Sequence, residues 1–122
     1  MNNAVNWFEI ATTDLDRAHK FYSEVFKKEL TLLEMPDTKM YMFPGGPDGK
    51  GASGAIISAK ENAPSSDGTI VYFHCEDCAE EAGRVDNAGG KVVLPKMSIG
   101  EFGFIAQFVD TEGNRIGLHS NK

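Results

Sequence analysis

The two halves of this chain are written to one plan. Residues 7–22, Trp-Phe-Glu-Ile-Ala-Thr-Thr-Asp-Leu-Asp-Arg-Ala-His-Lys-Phe-Tyr, and residues 70–85, Ile-Val-Tyr-Phe-His-Cys-Glu-Asp-Cys-Ala-Glu-Glu-Ala-Gly-Arg-Val, match at an offset of 63 (Asp77 minus Asp14). Each is an apolar strand that stops at an acidic helix cap and runs straight into an amphipathic helix. A unit of about sixty residues cannot bury its apolar face alone, so two copies must pack together. A cleft at their pseudo-twofold seam is where a ligand would sit. The 122 residues therefore read as one domain, 1–122. It comprises a module at about 4–59, a linker at about 60–68 and a second module at about 69–120.

In the first module, Val5–Ala11 reads as a strand, and Thr13 or Asp14 caps a helix with apolar positions Leu15, Ala18, Tyr22, Val25 and Phe26. Three strands follow by pattern at about Glu29–Glu34, Lys39–Phe43 and Ala52–Ser58, separated by the Met35-Pro36-Asp37 turn and the Pro44–Gly51 loop. Lys60–Gly68 has no periodicity. The second module opens with a strand at Thr69–Cys75. Asp77 then caps a helix, with Glu80 at capping-box spacing, and Gly89-Gly90 ends it. Strands at about Lys91–Leu94, Glu101–Val109 and Arg115–His119 complete it. Both modules are βαβββ, which predicts an α+β fold of two tandem βαβββ units. Gly54 plus 63 is Gly117, so each final strand carries a glycine that the repeat opens toward the seam.

Composition narrows the partners. A formal charge of −6 leaves no basic stripe to neutralise phosphates or anionic lipid, so no nucleic acid and no membrane partner is expected. Met1–Ile10 has neither a basic n-region nor an apolar h-region, and no apolar run is long enough to span a bilayer. The expected location is cytoplasmic.

Paired βαβββ units with an Asp-Leu-x-x-Ala-x-x-Phe-Tyr helix start and a late Asp-x-x-Gly-Asn-x-Ile strand resemble the vicinal oxygen chelate superfamily, which includes glyoxalase I, the bleomycin and fosfomycin resistance proteins and extradiol dioxygenases. The residues that carry the resemblance are Thr13-Asp14-Leu15, Arg17-Ala18, Phe21-Tyr22 and Phe108–Ile116. Trp7–Ile10 and Gly113–Leu118 look most like the subgroup described as related to lactoylglutathione lyase. Metal-dependent members of the superfamily draw four His or Glu ligands from the first and last strands of each module. Carried over position by position, these fall on Trp7, Ile70, Gly117 and Gly54, or on Ile56 if the register slips by two. None offers a lone pair to a divalent ion, so no metal and no other cofactor is expected. The resemblance also implies that the two modules form a curved mixed sheet around a cup, and that the chain is a homodimer, because open curved sheets leave edges and rim for a partner to cover.

The resemblance implies that the face carrying the family's ligand positions points into the cup, and strand alternation gives the residues that share it. Trp7, Glu9 and Ala11 share it on the first strand, Ile70, Tyr72 and His74 on the fifth, and Arg115, Gly117 and His119 on the last. A carboxylate and two imidazoles suit proton transfer. An indole and an arginine suit gripping a planar or anionic group. The candidate ligand-binding residues are thus Trp7, Glu9, Gly54, Ile70, Tyr72, His74, Arg115, Gly117 and His119, with Glu9, Tyr72 and His119 as candidate catalytic residues. The competing reading pairs Glu9 with Arg115 or Tyr72 and leaves the histidines at strand ends in solvent.

Other signals are set aside on physical grounds. Cys75-Glu-Asp-Cys78 has C-x-x-C spacing, but the chain has only these two cysteines and the intervening residues are acidic, which suits neither zinc nor a redox pair. Pro44-Gly-Gly-Pro-Asp-Gly-Lys-Gly51 lacks the spacing and the following helix of a phosphate loop. His19 reads as a half-buried helix residue, and Phe102, Phe104 and Phe108 as a mostly core stripe. Three functions stay open: a metal-lacking protein that binds a small organic molecule in the cup, a metal-independent lyase or isomerase with Glu9 as general base and Tyr72 or His119 stabilising an enolate-like intermediate, and a structural module whose cup is filled by its own side chains.

Overall fold

The structure, a computed structural model, describes residues 5–45, 51–58 and 63–122. Parts of the Pro44–Gly51 connection (46–50) and of the Lys60–Gly68 linker (60–62) lie outside the described residues. The order is β1 (Trp7–Ala11), α1 (Leu15–Phe26), β2 (Thr31–Met35), β3 (Thr38–Met42) and β4 (Ser53–Ser58), followed by β5 (Tyr72–His74), α2 (Cys78–Ala88), β6 (Lys91–Ser98), β7 (Phe104–Val109) and β8 (Arg115–Ser120). The ladders form two four-stranded mixed sheets of identical topology, β1-β4-β3-β2 and β5-β8-β7-β6, each with one parallel pair between its first and last strands. The α+β fold and the repeated βαβββ unit are as the sequence predicts.

Local chemistry explains the helices. Asp14 adopts an extended backbone and accepts from the Arg17 N–H, and Asp77 does the same for Ala79, so each acidic cap satisfies a free helix donor. On α1, Ala18, Phe21, Tyr22 and Val25 recur at helical spacing and are all buried. Gly89 ends α2 in the left-handed region at φ 105°. Lys27 ends α1 in the same region at φ 54°, an uncommon conformation for a residue with a side chain. One core runs through both modules. Phe21, Tyr22 and Val25 of α1 join Cys78 and Val85 of α2 over Ile56, Phe108, Ile116 and Leu118 of the sheets.

The β7–β8 turn locks the modules together. Glu112 is buried and accepts from the backbone N–H of Thr13 (2.9 Å) and Asp14 (2.8 Å) and from Arg17 Nε (2.7 Å), so a residue of module two caps the helix of module one. Asp110 takes the Tyr22 hydroxyl at 2.6 Å, and Asn114 donates to the Ala11 carbonyl at 2.8 Å. Burial raises the Glu112 pKa, but the hydrogen bonds from Arg17, Asp14, Thr13 and Thr111 outweigh it and hold the carboxyl at about 2.

Three boundaries differ by three residues or more from the sequence reading. β5 begins at Tyr72 rather than Thr69, so Ile70 precedes the strand. Residues Gly100–Phe102 form a short 3-10 turn between glycines at φ 79° and 108°, and β7 starts only at Phe104, which leaves Phe102 69% exposed and outside the expected core stripe. β6 runs on to Ser98, with register irregularities between Val92 and Met97 that absorb Pro95.

The candidate site on the open sheet faces

Each sheet turns one face to the helices and main core; the opposite, open face is exposed at Trp7, Glu9, Leu33, Met35, Tyr72 and His74 but buried at Met40, Ala55 and Ile57. On β1, Phe8 and Ile10 pack into the core, so Trp7, Glu9 and Ala11 lie on the open face. The ladder continues that face through Ala55 and Ile57 on β4 and Met40 and Met42 on β3, which form an apolar cluster separate from the main core. Leu33 and Met35 on β2 extend it and are 39% and 45% exposed. Module one therefore presents a thioether-rich apolar wall, and Trp7, 40% exposed, stands at its inner edge. The Trp7 indole N–H donates to Glu9 Oε2 at 3.1 Å.

Module two presents a polar wall. Tyr72 and His74 share a face of β5, opposite Phe73, and pair with Gly117 and His119 of β8. The next strand sets Gln107 beside Gly117 and Val109 beside Arg115. Arg115 Nη1 donates to Gln107 Oε1 (3.1 Å), and Gln107 Nε2 donates to the Tyr72 hydroxyl (2.6 Å). This chain leaves the Tyr72 O–H proton free to donate, and accepting a bond makes that hydroxyl a better donor. His119 Nε2 lies 2.7 Å from the Phe102 carbonyl, which requires a proton on Nε2 and leaves Nδ1 as the free ring nitrogen. Nδ1 is thus the His119 nitrogen left for a ligand, and Tyr72 is the hydroxyl donor.

The structure brings most of the sequence-predicted residues onto these faces. Tyr72, Gly117 and Arg115 meet through Gln107, His74 and His119 are cross-strand neighbours, and Trp7 is bonded to Glu9. Glu9 and Arg115 line one cleft at the seam, a cavity of about 240 Å³ that also touches Val71 and Asn114. Glu9 is bonded to Trp7 and Arg115 to Gln107, rather than the two to each other or Glu9 to Tyr72. Ile70 is half-buried in the segment before β5.

Gly54 is placed otherwise. It pairs with Phe8, and a Cβ there would meet the Phe8 ring at 2.5 Å, so it belongs to the helix side. Gly117 pairs with Tyr72 and a Cβ there would meet that ring, on the open side. The two glycines match in the repeat, but β8 is shifted by one residue against β5 relative to β4 against β1, and one residue of slip exchanges the faces. The position of β4 equivalent to Gly117 is Ala55. Gln107 is the residue that sequence reasoning missed; its signal was a lone amide within the apolar run Phe104–Val109.

The positions that would hold a divalent metal do not fit one. Trp7, Ile70, Gly117 and either Gly54 or Ala55 bring no nitrogen or oxygen ligand, and among the described residues no three His, Cys, Asp or Glu side chains are grouped to hold an ion. The cysteines are free and buried, and His19 stacks on Tyr41 with ring centroids 3.7 Å apart.

A family model described as Glyoxalase/Bleomycin resistance protein/Dioxygenase superfamily matches residues 4–118. A glyoxylase-like domain-containing protein of Didymella fabae is 31% identical, over 93% of this chain and 91% of that protein. CFP32 of Mycobacterium bovis is 28% identical over 93% of this chain, which spans only 44% of it. Among solved structures, an E144Q mutant of glyoxalase I from Zea mays superposes with a TM-score of 0.75 at 23% identity, over 95% of this chain and 46% of that one. The chain thus spans about half the length of the mycobacterial and maize proteins.

Proposed function

This chain belongs to the Glyoxalase/Bleomycin resistance protein/Dioxygenase superfamily, and from that premise we propose that it binds a small organic molecule, without a divalent metal, in the cup formed by the open faces of its two sheets. The observation that carries the reading is the contrast between those faces. An apolar wall with Trp7, Leu33 and Met35 part-exposed stands across the seam from a hydrogen-bonded Arg115–Gln107–Tyr72 chain. Such a pairing suits a ligand with a flat or aliphatic body and one acceptor group: the body lies on indole and thioethers, and the acceptor takes the Tyr72 proton.

A second reading has one observation behind it. Glu9 is an exposed carboxylate with the Trp7 indole on Oε2, in a cleft with Arg115, an arrangement suited to taking a proton from a ligand that Tyr72 polarises. This is the metal-independent lyase or isomerase.

Ligand screening by thermal shift, with and without chelator, tests the common premise, since a specific ligand stabilises by mass action. Trp7 is the sole tryptophan, so its fluorescence reports occupancy directly. Trp7→Ala is expected to abolish binding. Glu9→Gln should leave affinity within a few-fold for a binder, whereas a lyase or isomerase should lose turnover, on the order of 100-fold or more, and keep binding. The cup is refuted as the site if every ligand found in the screen leaves Trp7 fluorescence unchanged and still binds Trp7→Ala.

A further inference from the structure

We propose a second binding site, apart from the cup, that takes a protonated alkylamine. At the end of the seam where β1 begins and β5 ends, a cavity of about 240 Å³ opens on the helix side of the sheets. Its walls include Phe8, Phe26, Phe43 and Phe73. Their ring centroids lie 4.7 Å (Phe26–Phe73), 5.2 Å (Phe43–Phe73) and 5.5 Å (Phe8–Phe73) apart. These pairs are tilted or edge-on rather than stacked, and all four rings are half-buried where core aromatics such as Phe21 and Phe108 are fully buried. Ring faces are therefore left for another occupant. Phenyl faces carry negative potential and attract a cation.

Of the polar residues on this wall, Ser53, Lys28, His74 and Glu81, the one set deepest is anionic. Glu81 lines the cavity with its side chain only 16% exposed, and its Oε1 is buried without a hydrogen-bond partner. Arg84 approaches only the other oxygen, at 3.8 Å, because its Nε is committed to the Val25 carbonyl at 2.7 Å. The neighbouring Cys75 thiol keeps its proton: burial, then the Glu81 charge and a hydrogen bond to Glu81, pushes its pKa up to about 12. A thiol is a weak donor to a buried carboxylate, whereas an ammonium N–H satisfies both its charge and its lone pair. The alkyl part then lies on the phenyl rings. Lys28 and the ionisable His74 stand on the same lining, and both are exposed and can turn their polar ends to solvent.

Three probes of equal chain length separate charge from apolar fit: n-butylammonium, n-butanol and n-butyrate, each titrated into the full chain at constant ionic strength with the aromatic side-chain NMR signals followed. Saturable binding of butylammonium alone is expected, perturbing the phenylalanine signals and leaving Trp7 fluorescence unchanged. Glu81→Gln should weaken it about tenfold or more, as loss of one charge-assisted contact does, and Lys28→Gln should strengthen it. Equal binding of butanol, preference for butyrate, or full affinity in Glu81→Gln would overturn the proposal. If Glu81→Gln fails to fold, the three-probe comparison on the unaltered chain decides it. A cup that proves empty leaves this result untouched, because the phenylalanine signals and the Glu81 variant report this cavity.

Discussion

At the scale of single residues, environment separates groups that look alike in sequence. Cys75 and Cys78 have the spacing of a reactive pair, yet both are buried, and burial together with the Glu81 carboxylate lifts the Cys75 pKa to about 12. The thiolate fraction near neutral pH is then negligible. Folded protein should react with a thiol reagent far more slowly than unfolded protein, and a thiol count with Ellman's reagent before and after urea checks this. Fast reaction in the folded state would contradict the assignment. His119 makes a similar point. Its Nε2 proton is spent on the Phe102 carbonyl, so its chemistry toward a ligand is that of Nδ1, which no spacing in the sequence could foretell.

At the scale of elements, the two final strands illustrate how a one-residue shift alters a site. Gly54 touches Phe8 on the core side and Gly117 touches Tyr72 on the open side. Gly54→Ala should therefore destabilise the fold by about 1–3 kcal/mol through overpacking, with ligand affinity unaffected in the fraction that remains folded. Gly117→Ala should displace Tyr72 and weaken ligand binding instead. Urea denaturation and thermal shift with ligand on both variants distinguish them, and the reverse pattern would mean that the faces are misassigned. Sequence alternation located Trp7, Glu9, Tyr72, His74, Arg115 and His119 on the open faces because side-chain polarity marks which way a strand residue points. A glycine has no side chain to carry that mark, and so Gly54 was read onto the wrong face.

At the scale of the whole molecule, the two modules are joined through one core and the Glu112 clasp. The Glu112 pKa, about 2, lies below its ordinary 4.5, so its stabilising contribution is complete above about pH 5 and is lost as pH falls toward 2. With the Arg17 partner half exposed, the contribution is about 2 kcal/mol. Melting temperature should fall across that acid window, and Glu112→Gln should be less stable at pH 7 and show a flatter acid limb; an unchanged limb would deny the clasp its role. The outer strand β2 is exposed along its whole length, and an open strand edge invites pairing. A homodimer at tens of micromolar is accordingly expected for an interface of ordinary size, and light scattering that returns a monomer would oppose it. Among the described residues no helix is long and apolar enough to cross a membrane.

The sequence by itself determined the repeat, the βαβββ order, the acidic helix caps and the residue types available to the open faces. Each of these depends on local periodicity or on a side chain within a few positions, and those are written in the order of residues. Tertiary structure alone decided what depends on long-range contacts. The β5–β8 register put Gly117 and Gly54 on different faces, Gln107 joined Arg115 to Tyr72 across three strands, and Glu112 reached about a hundred residues back to cap α1. A strand can slide by one residue without changing its own pattern, and a turn can find a distant helix only once the chain has closed, so neither outcome is encoded in any short stretch.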